Sequence, residues 1–187
     1  MGFRSLGKDV FIEKSVKIVN PWNIDIGDNV RIDQFSFLLG GNNGGLKIGS
    51  HIHIAGNAFL GGHEEIVIAD FVNIAAYCRI YSITDNFDGS VVTGPAFPAS
   101  MTKHVRKKTV LNEHTLLGAG STVLPGVTCG VATATGAHSL LHEDTEPFSI
   151  YAGIPAKRIL SRQKGLIEQG DAFRNEYRKK SMQNRST

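Results

Sequence analysis

Between Leu111 and Leu141 a small or aliphatic side chain returns at every sixth position: Leu111, Leu117, Val123, Cys129, Thr135 and Leu141. Four residues after each stands a small or β-branched residue, namely Thr115, Ser121, Val127, Thr133, Ser139 and Thr145. A helix repeats its faces about every 3.6 residues and a strand about every two, so neither explains this period. The pattern is that of a parallel β-helix, in which short strands and turns stack coil upon coil. The same spacing runs through the first half, in Ile26, Ile32 and Leu38, then Ile48, Ile54 and Leu60, then Ile68, Ile74 and Ile80. GGNNGGLK (40–47) and GGHEEIV (61–67) interrupt it as turns or small insertions, and Ile12 and Ile18 mark a less regular opening coil. With three hexads to a triangular coil the chain supplies about six coils, a prism roughly 29 Å tall at ~4.8 Å per strand.

Each hexad has a physical logic. The aliphatic slot points into a narrow interior, and the small residue four positions later fits near a corner. Glycine follows the aliphatic in Ile26-Gly27, Ile48-Gly49 and Leu117-Gly118, where it eases the turn conformation. End strands of such a stack are unpaired, so caps are expected. Residues 162–180 (RQKGLIEQGDAFRNEYRKK) are expected to form a short helix serving as one cap. The predicted fold is all-β: a β-helix domain over 1–161, then a helical cap and basic tail over 162–187. From Ser82 to about Lys108 the hexads stop, and Gly89, Gly94, Pro95 and Pro98 mark a long excursion loop, 82–108. Loops of this length in compact domains carry function or are disordered insertions.

Composition narrows the setting. The 187 residues, 41% of them hydrophobic, suffice for one domain with a real core. No run reaches the ~18 apolar residues of a transmembrane segment. The first residues, MGFRSLGKDVFIEKS, lack the apolar stretch of a signal peptide. Cys78 and Cys129 occupy hexad slots as buried, inert thiols, and with no disulfide framework a cytoplasmic location is expected. Neither cysteine belongs to a compact zinc spacing, so no metal site is assigned. The formal charge of +3 is uneven: residues 156–187 hold nine Lys/Arg and three Asp/Glu, a net +6, leaving −3 for residues 1–155. A basic tail is either solvated surface or an attractor of phosphate-bearing ligands. Aromatic residues are not interleaved with its charges, so no nucleic-acid partner is expected.

LGAGSTVLPGVTCG (117–130), TGAHSLL (135–141) and YAGIPAKRI (151–159) resemble the hexapeptide-repeat acyltransferases. The resemblance is to the galactoside and maltose acetyltransferase branch, which includes sugar acetyltransferases of bacterial polysaccharide pathways. NPWNIDIGDNVRID (20–33) and YCRIYSITDNFDGS (77–90) extend it, so that it spans about residues 18–160. The resemblance implies a left-handed parallel β-helix, a homotrimer with active sites between subunits, and acetyl-CoA as acyl donor. The left hand comes from the resemblance alone, because ordinary parallel crossovers are right-handed. Family contacts to CoA fall on Ala119, Ala137 and Lys157, with Gly118 and Arg158 adjacent. Small residues there let the backbone bond the pantetheine arm, and the two cations can meet CoA phosphates. Ala119 and Ala137 fit tight turn packing equally well. His142 stands where some relatives carry Thr, and His138 replaces a Gly of the usual GAGS.

In typical sugar acetyltransferases a catalytic histidine follows the strand into the long loop, as in IYTATHP. Here that stretch is Ile80-Tyr81-Ser82-Ile83-Thr84-Asp85-Asn86, which puts Asp85 in the histidine's column and Asn86 in that of the proline. Three readings stand. Asp85, helped by Asn86, acts as base or as electrostatic anchor. Alternatively another histidine serves: His63 in GGHEE, whose neighbouring carboxylates raise its basicity, or His53 on an outward position. Or the chain is a non-catalytic trimeric binding scaffold. A sugar hydroxyl needs a matched general base, whereas an amine needs only to shed its ammonium proton. A plain carboxylate is a poor base for a hydroxyl but can orient an ammonium. The exchange of His for Asp therefore tilts the acceptor towards an amino sugar. The expected activity is acetyl-CoA-dependent N-acetylation of a nucleotide-linked amino sugar for lipopolysaccharide or capsule synthesis. O-acetylation of a glycan or sugar hydroxyl is the alternative. A metal-dependent hydration of carbon dioxide would need three placed histidines, and His51 and His53 form only a near pair.

Overall fold

The computed structural model describes residues 2–183. Short parallel strands wind into a three-sided solenoid. One face stacks Ser5–Leu6, Ile24–Ile26, the ends of the long strands Phe37–Ile48 and Phe59–Ile68, then Thr109–Leu111 and Thr128–Cys129. The second face stacks Phe11–Ile12, Val30–Ile32, Ile52–Ile54, Asn73–Ile74, Leu116–Leu117, Ala134–Thr135 and Ser149–Ala152. The third takes Lys17–Val19, the starts of the two long strands, Arg79–Tyr81, Thr122–Val123 and Leu140–Leu141. Six coils are complete, and Ser149–Ala152 opens a seventh.

The register is that of the hexads. Ile26, Ile48, Ile68, Leu111 and Cys129 stand one above another on the first face. Leu38, Leu60, Ile80, Val123 and Leu141 do so on the third. All ten are at most 3% exposed. Each buried aliphatic side chain contributes about 1.5–3 kcal/mol by leaving water, which is what holds so thin a prism together. The small residues of the repeat satisfy corner carbonyls. Thr115 donates its hydroxyl to the carbonyl of Asn112 (2.7 Å), and Ser139 donates to that of Gly136 (2.8 Å).

The glycines that follow the aliphatic slots do not supply the turn conformation, contrary to expectation. A Cβ on Gly27 would lie 2.6 Å from the carbonyl oxygen of Gly49, and one on Gly118 would lie 2.6 Å from that of Thr135. Close stacking of successive coils excludes a side chain there. Positive φ falls instead chiefly at two of the corners: Phe35, Asn57, Tyr77, Gly120 and His138 lie between the second and third faces, and Asp9, Asn29, His51, Phe71, His114, Ala132 and Phe148 form a column between the first and second.

The helix α1 (Gly165–Gln183) packs along that column and does not lie over an end of the stack. Gly170 meets His114 so closely that a Cβ would sit 2.4 Å from its ring. Phe173 and Tyr177 meet His51 edge-on at 5.2 and 4.9 Å, and the Tyr177 hydroxyl donates to Asp9 (2.6 Å). The helix thus runs down from the fifth coil to the first. Its contacts recur at spacings of three and four residues, which places one face against the aromatic column. The last coil is finished by Lys157–Ser161, which folds back antiparallel onto Ser149–Ala152. Residues 184–187 of the basic tail lie outside the described residues.

Every insertion leaves the prism at one corner, between the third and first faces. There sit the short helix Pro21–Asn23, the segments 40–45 and 61–65, and the excursion 82–108.

Candidate active site

The excursion starts and ends as a hairpin, with Ile83–Asp85 antiparallel to His104–Arg106. The buried hydroxyl of Ser82 pins its root, accepting from the Glu64 amide (2.9 Å) and donating to the carbonyl of Gly61 (2.8 Å). The hairpin register sets Asp85 opposite His104, and Asp85 Oδ1 lies 3.4 Å from His104 Nε2. Between hairpin and prism opens a cavity of about 420 Å³ lined by Phe59, His63, Tyr81, Ile83, Thr84, Asp85, Pro95 and His104. An aromatic column on the third face borders it. Phe37 stacks on Phe59 at 5.2 Å, and Phe59 meets Tyr81 at 5.3 Å. Gly61 makes room for this, since a Cβ there would lie 2.8 Å from the Phe59 ring.

His63 and Asp85, which the sequence offers as alternatives, line the same cavity. Their chemistry differs from expectation in one respect. Partial desolvation at the wall, then the charge of Arg106, pulls the His63 pKa below its ordinary value, and the opposing effect of Glu64 is smaller. The carboxylates beside it already serve cations. Glu64 pairs with Arg106 (3.5 Å), and Glu65 pairs with Lys108 (2.6 Å) and Lys47. These surroundings weaken His63 as a base instead of strengthening it. Asn86 is committed to the turn that follows: its carbonyl oxygen accepts from the Asp88 amide (3.3 Å) and its Nδ2 donates to Ser90 (3.3 Å). His53 lies on the second face, paired with Asp33 (2.7 Å). Among the described residues no group of three His, Cys, Asp or Glu side chains could hold a metal ion.

The residues matched to CoA contacts fall in two places. Ala119 and Ala137 are exposed on successive turns of the corner between the second and third faces. The His138 amide donates to the carbonyl of Ala119 (2.8 Å), and Gly118 donates to Thr135 Oγ1 (2.9 Å). Lys157 and Arg158 belong to the terminal hairpin. They line a cavity of about 230 Å³ with Leu141, His142, Glu143, Asp144, Tyr151 and Ala156. Arg158 is engaged by Ser149 (3.0 Å), Glu146 (3.2 Å) and Ser161 (2.9 Å).

No protein-family model matches the chain. It is 37% identical over 174 residues to dTDP-4-amino-4,6-dideoxy-D-glucose acyltransferase of Escherichia coli, covering 93% of this chain and 90% of that one. The chain belongs to the hexapeptide-repeat acyltransferases. AntD, an N-acyltransferase from Bacillus cereus, was crystallised as a variant with dTDP-4-amino-4,6-dideoxyglucose and coenzyme A. That structure superimposes with a TM-score of 0.89 at 37% identity, over 94% of this chain and 92% of that one. AntD with dTDP and 3-hydroxybutyryl-CoA also gives 0.89, at 36% identity, over 95% and 93%. A maltose O-acetyltransferase from Clostridium difficile shares the fold alone, with a TM-score of 0.59 at 20% identity over 87% of this chain and 73% of that one. The solenoid is the left-handed parallel β-helix of that family.

Within this acyltransferase fold both cysteines are buried, and burial pushes Cys78 up to about 11 and Cys129 to about 12. Thiols so far from ionising are not acyl-accepting nucleophiles. His104 is the cavity residue that the sequence did not expose. It lies in the unpatterned excursion, and only the register of the hairpin brings it to Asp85.

Proposed function

We propose that this acyltransferase moves an acyl group from acetyl-CoA or a close homologue to the amino group of a nucleotide-linked amino sugar. The observation that carries the reading is Asp85, a carboxylate on the cavity wall in the column of the family's histidine. A carboxylate there suits an ammonium better than a hydroxyl. The cavity of about 420 Å³ has room for a hexose ring. The Escherichia coli relative takes its name from such a sugar, and the AntD variant was crystallised with one.

Transfer is direct, in a ternary complex of donor and acceptor. Asp85 holds the acceptor nitrogen, His63 lines the wall beside it, and Asn86 fixes the turn behind. The nitrogen attacks the thioester carbonyl, and a backbone N–H stabilises the oxyanion. Gly118, Ala119 and Ala137 take the pantetheine arm along the exposed corner, and Lys157 and Arg158 meet phosphates. The enzyme works as a homotrimer. In support, the excursion carries Phe87 at 87% exposure, with Phe97, Met101 and Val105 also exposed, and apolar side chains so displayed fit a neighbouring subunit. A cytoplasmic location in lipopolysaccharide or capsule synthesis completes the proposal.

The test is release of CoA thiol from acetyl-CoA against a panel of nucleotide-linked amino sugars and neutral sugars. Turnover with the amino sugars, and little with the matching hydroxyl compounds, is expected. Turnover confined to hydroxyl acceptors would refute the reading.

A further inference from the structure

Asp85 and His104 are directly cross-strand neighbours in the excursion hairpin, and both side chains line the acceptor cavity. Nε2 of His104 faces Asp85 Oδ1 at 3.4 Å. That leaves Nδ1 as the ring nitrogen able to accept a proton. A carboxylate orienting one ring nitrogen while the other takes a proton is a general arrangement for acid–base catalysis. We infer that His104, oriented by Asp85 across the hairpin, is the base that removes the proton from the acceptor before it attacks the thioester. The inference rests on the acyl-transfer reading above.

The charged surroundings favour this pair over His63. On the hairpin itself stand Asp85, Arg106 and Lys103, and from the stacked coils His63 and Glu64 face it. Glu64 is held by Arg106 (3.5 Å) and by Asn43 Nδ2 (3.2 Å), so neither ring in the cavity gains its full charge. Among the described residues no carboxylate pairs with His63, and desolvation and Arg106 weaken it as a base. His104 has Asp85, and with a third of its side chain still open to water it can pass a proton outward.

The balance of the step is simple. The ammonium of the acceptor gives one proton to His104, which returns it to water. The freed nitrogen lone pair forms the N–C bond at the thioester carbonyl, and the C–S bond breaks as the tetrahedral oxyanion collapses. The second nitrogen proton leaves with the sulfur, giving the amide, the CoA thiol and one proton to solvent.

The experiment compares wild type, His104→Gln and His104→Ala in steady-state kinetics across pH, with folding checked by circular dichroism. His104→Gln is expected to lower kcat by about 100- to 10,000-fold, to leave KM for the sugar within about 3-fold, and to lose the acid limb of kcat/KM. Free imidazole is expected to restore part of the rate of His104→Ala, which a purely structural histidine would not show. A His104→Gln enzyme with kcat within about 3-fold of wild type and an unaltered acid limb overturns the inference. So does a His104→Ala enzyme that imidazole fails to rescue. If wild type turns over only hydroxyl acceptors, the nitrogen preference falls separately. The inference then requires a still larger loss in His104→Gln, because a hydroxyl depends more on its base.

Discussion

Under the helix, His51 stacks on Phe71 at 4.9 Å, and Phe71 stacks on His114 at 4.8 Å. Arg174 lies over the Phe71 ring at 4.8 Å and bonds Glu113 (3.0 Å), Asp70 (3.5 Å) and Asp171 (3.1 Å). At the excursion corner, His63 and His104 stand on the wall of an open cavity with Asp85 between hairpin and prism. Both corners bring histidine, carboxylate and arginine side chains together on the same left-handed scaffold. What differs is what covers them. Below the helix the charged groups pair with one another, Arg174 Nε alone staying buried without a partner among the described residues, and the rings serve as packing surface. Beside the excursion the hairpin stands off the prism and leaves a volume for a ligand. A cluster of titratable residues is thus structural or chemical according to whether an element of the same chain fills the space in front of it.

The sharpest way to break this comparison is at Asp85. Asp85→Asn keeps shape and removes the charge, so kcat/KM for an amino sugar is expected to fall by about 100- to 1,000-fold, or about 3–4 kcal/mol. Because its side chain is 43% exposed, the thermal midpoint is expected to stay within about 2 °C. Steady-state kinetics and a melting curve check both halves. A large loss of stability would mean that this corner too is structural.

The helix corner should answer in the opposite way. Arg174→Ala removes the cation shared by Glu113, Asp70 and Asp171 and uncovers the Phe71 ring. A stability loss of about 2 kcal/mol is expected, with turnover at a permissive temperature unchanged. Chemical denaturation beside the acceptor assay measures it. A drop in kcat without a drop in stability would tie the helix to catalysis and end the contrast.

How far each corner could be read from the sequence follows from the range of its contacts. The hexads made the stack legible because each slot, such as Ile26, Ile48 and Ile68, meets its own kind one coil away. The corner column was opaque, since Asn29, His51, Phe71 and His114 share a positive φ but no chemistry. Glycines drew attention instead, although Gly27 and Gly118 are required by close stacking. The helix carried a readable signal in Gly170, Phe173, Arg174 and Tyr177, one face at helical spacing, and only its partner surface was hidden. Asp85 stood out through family resemblance. His104 did not, because its place beside Asp85 depends on how the two ends of an unpatterned segment pair.

The smallest effect, and the one that separates the corners by pH alone, lies in His51 and His114. Burial holds both below the ordinary histidine value of 6.5, against the opposing charges of Asp70 and Asp28 for one and Glu113 and Asp171 for the other. Arg174 pushes both down further, joined by Arg178 at His51 and Arg162 at His114. In the unfolded chain each ring takes its proton near 6.5, and in the fold only at lower pH. Between those values the unfolded state binds more protons. The contribution to stability is therefore fully present above pH 6.5 and shrinks as pH falls through the folded value. The thermal midpoint is expected to drop by a few °C from about pH 7.5 to about pH 5.5, a range in which the paired carboxylates stay ionised. His114→Phe should remove part of that slope, because a phenyl ring can keep the stack on Phe71 and has nothing to protonate. If the slope instead persists in His114→Phe and vanishes in His104→Gln, the proton that loosens the fold is taken up at the open corner, and the covered one is not the pH-sensitive element.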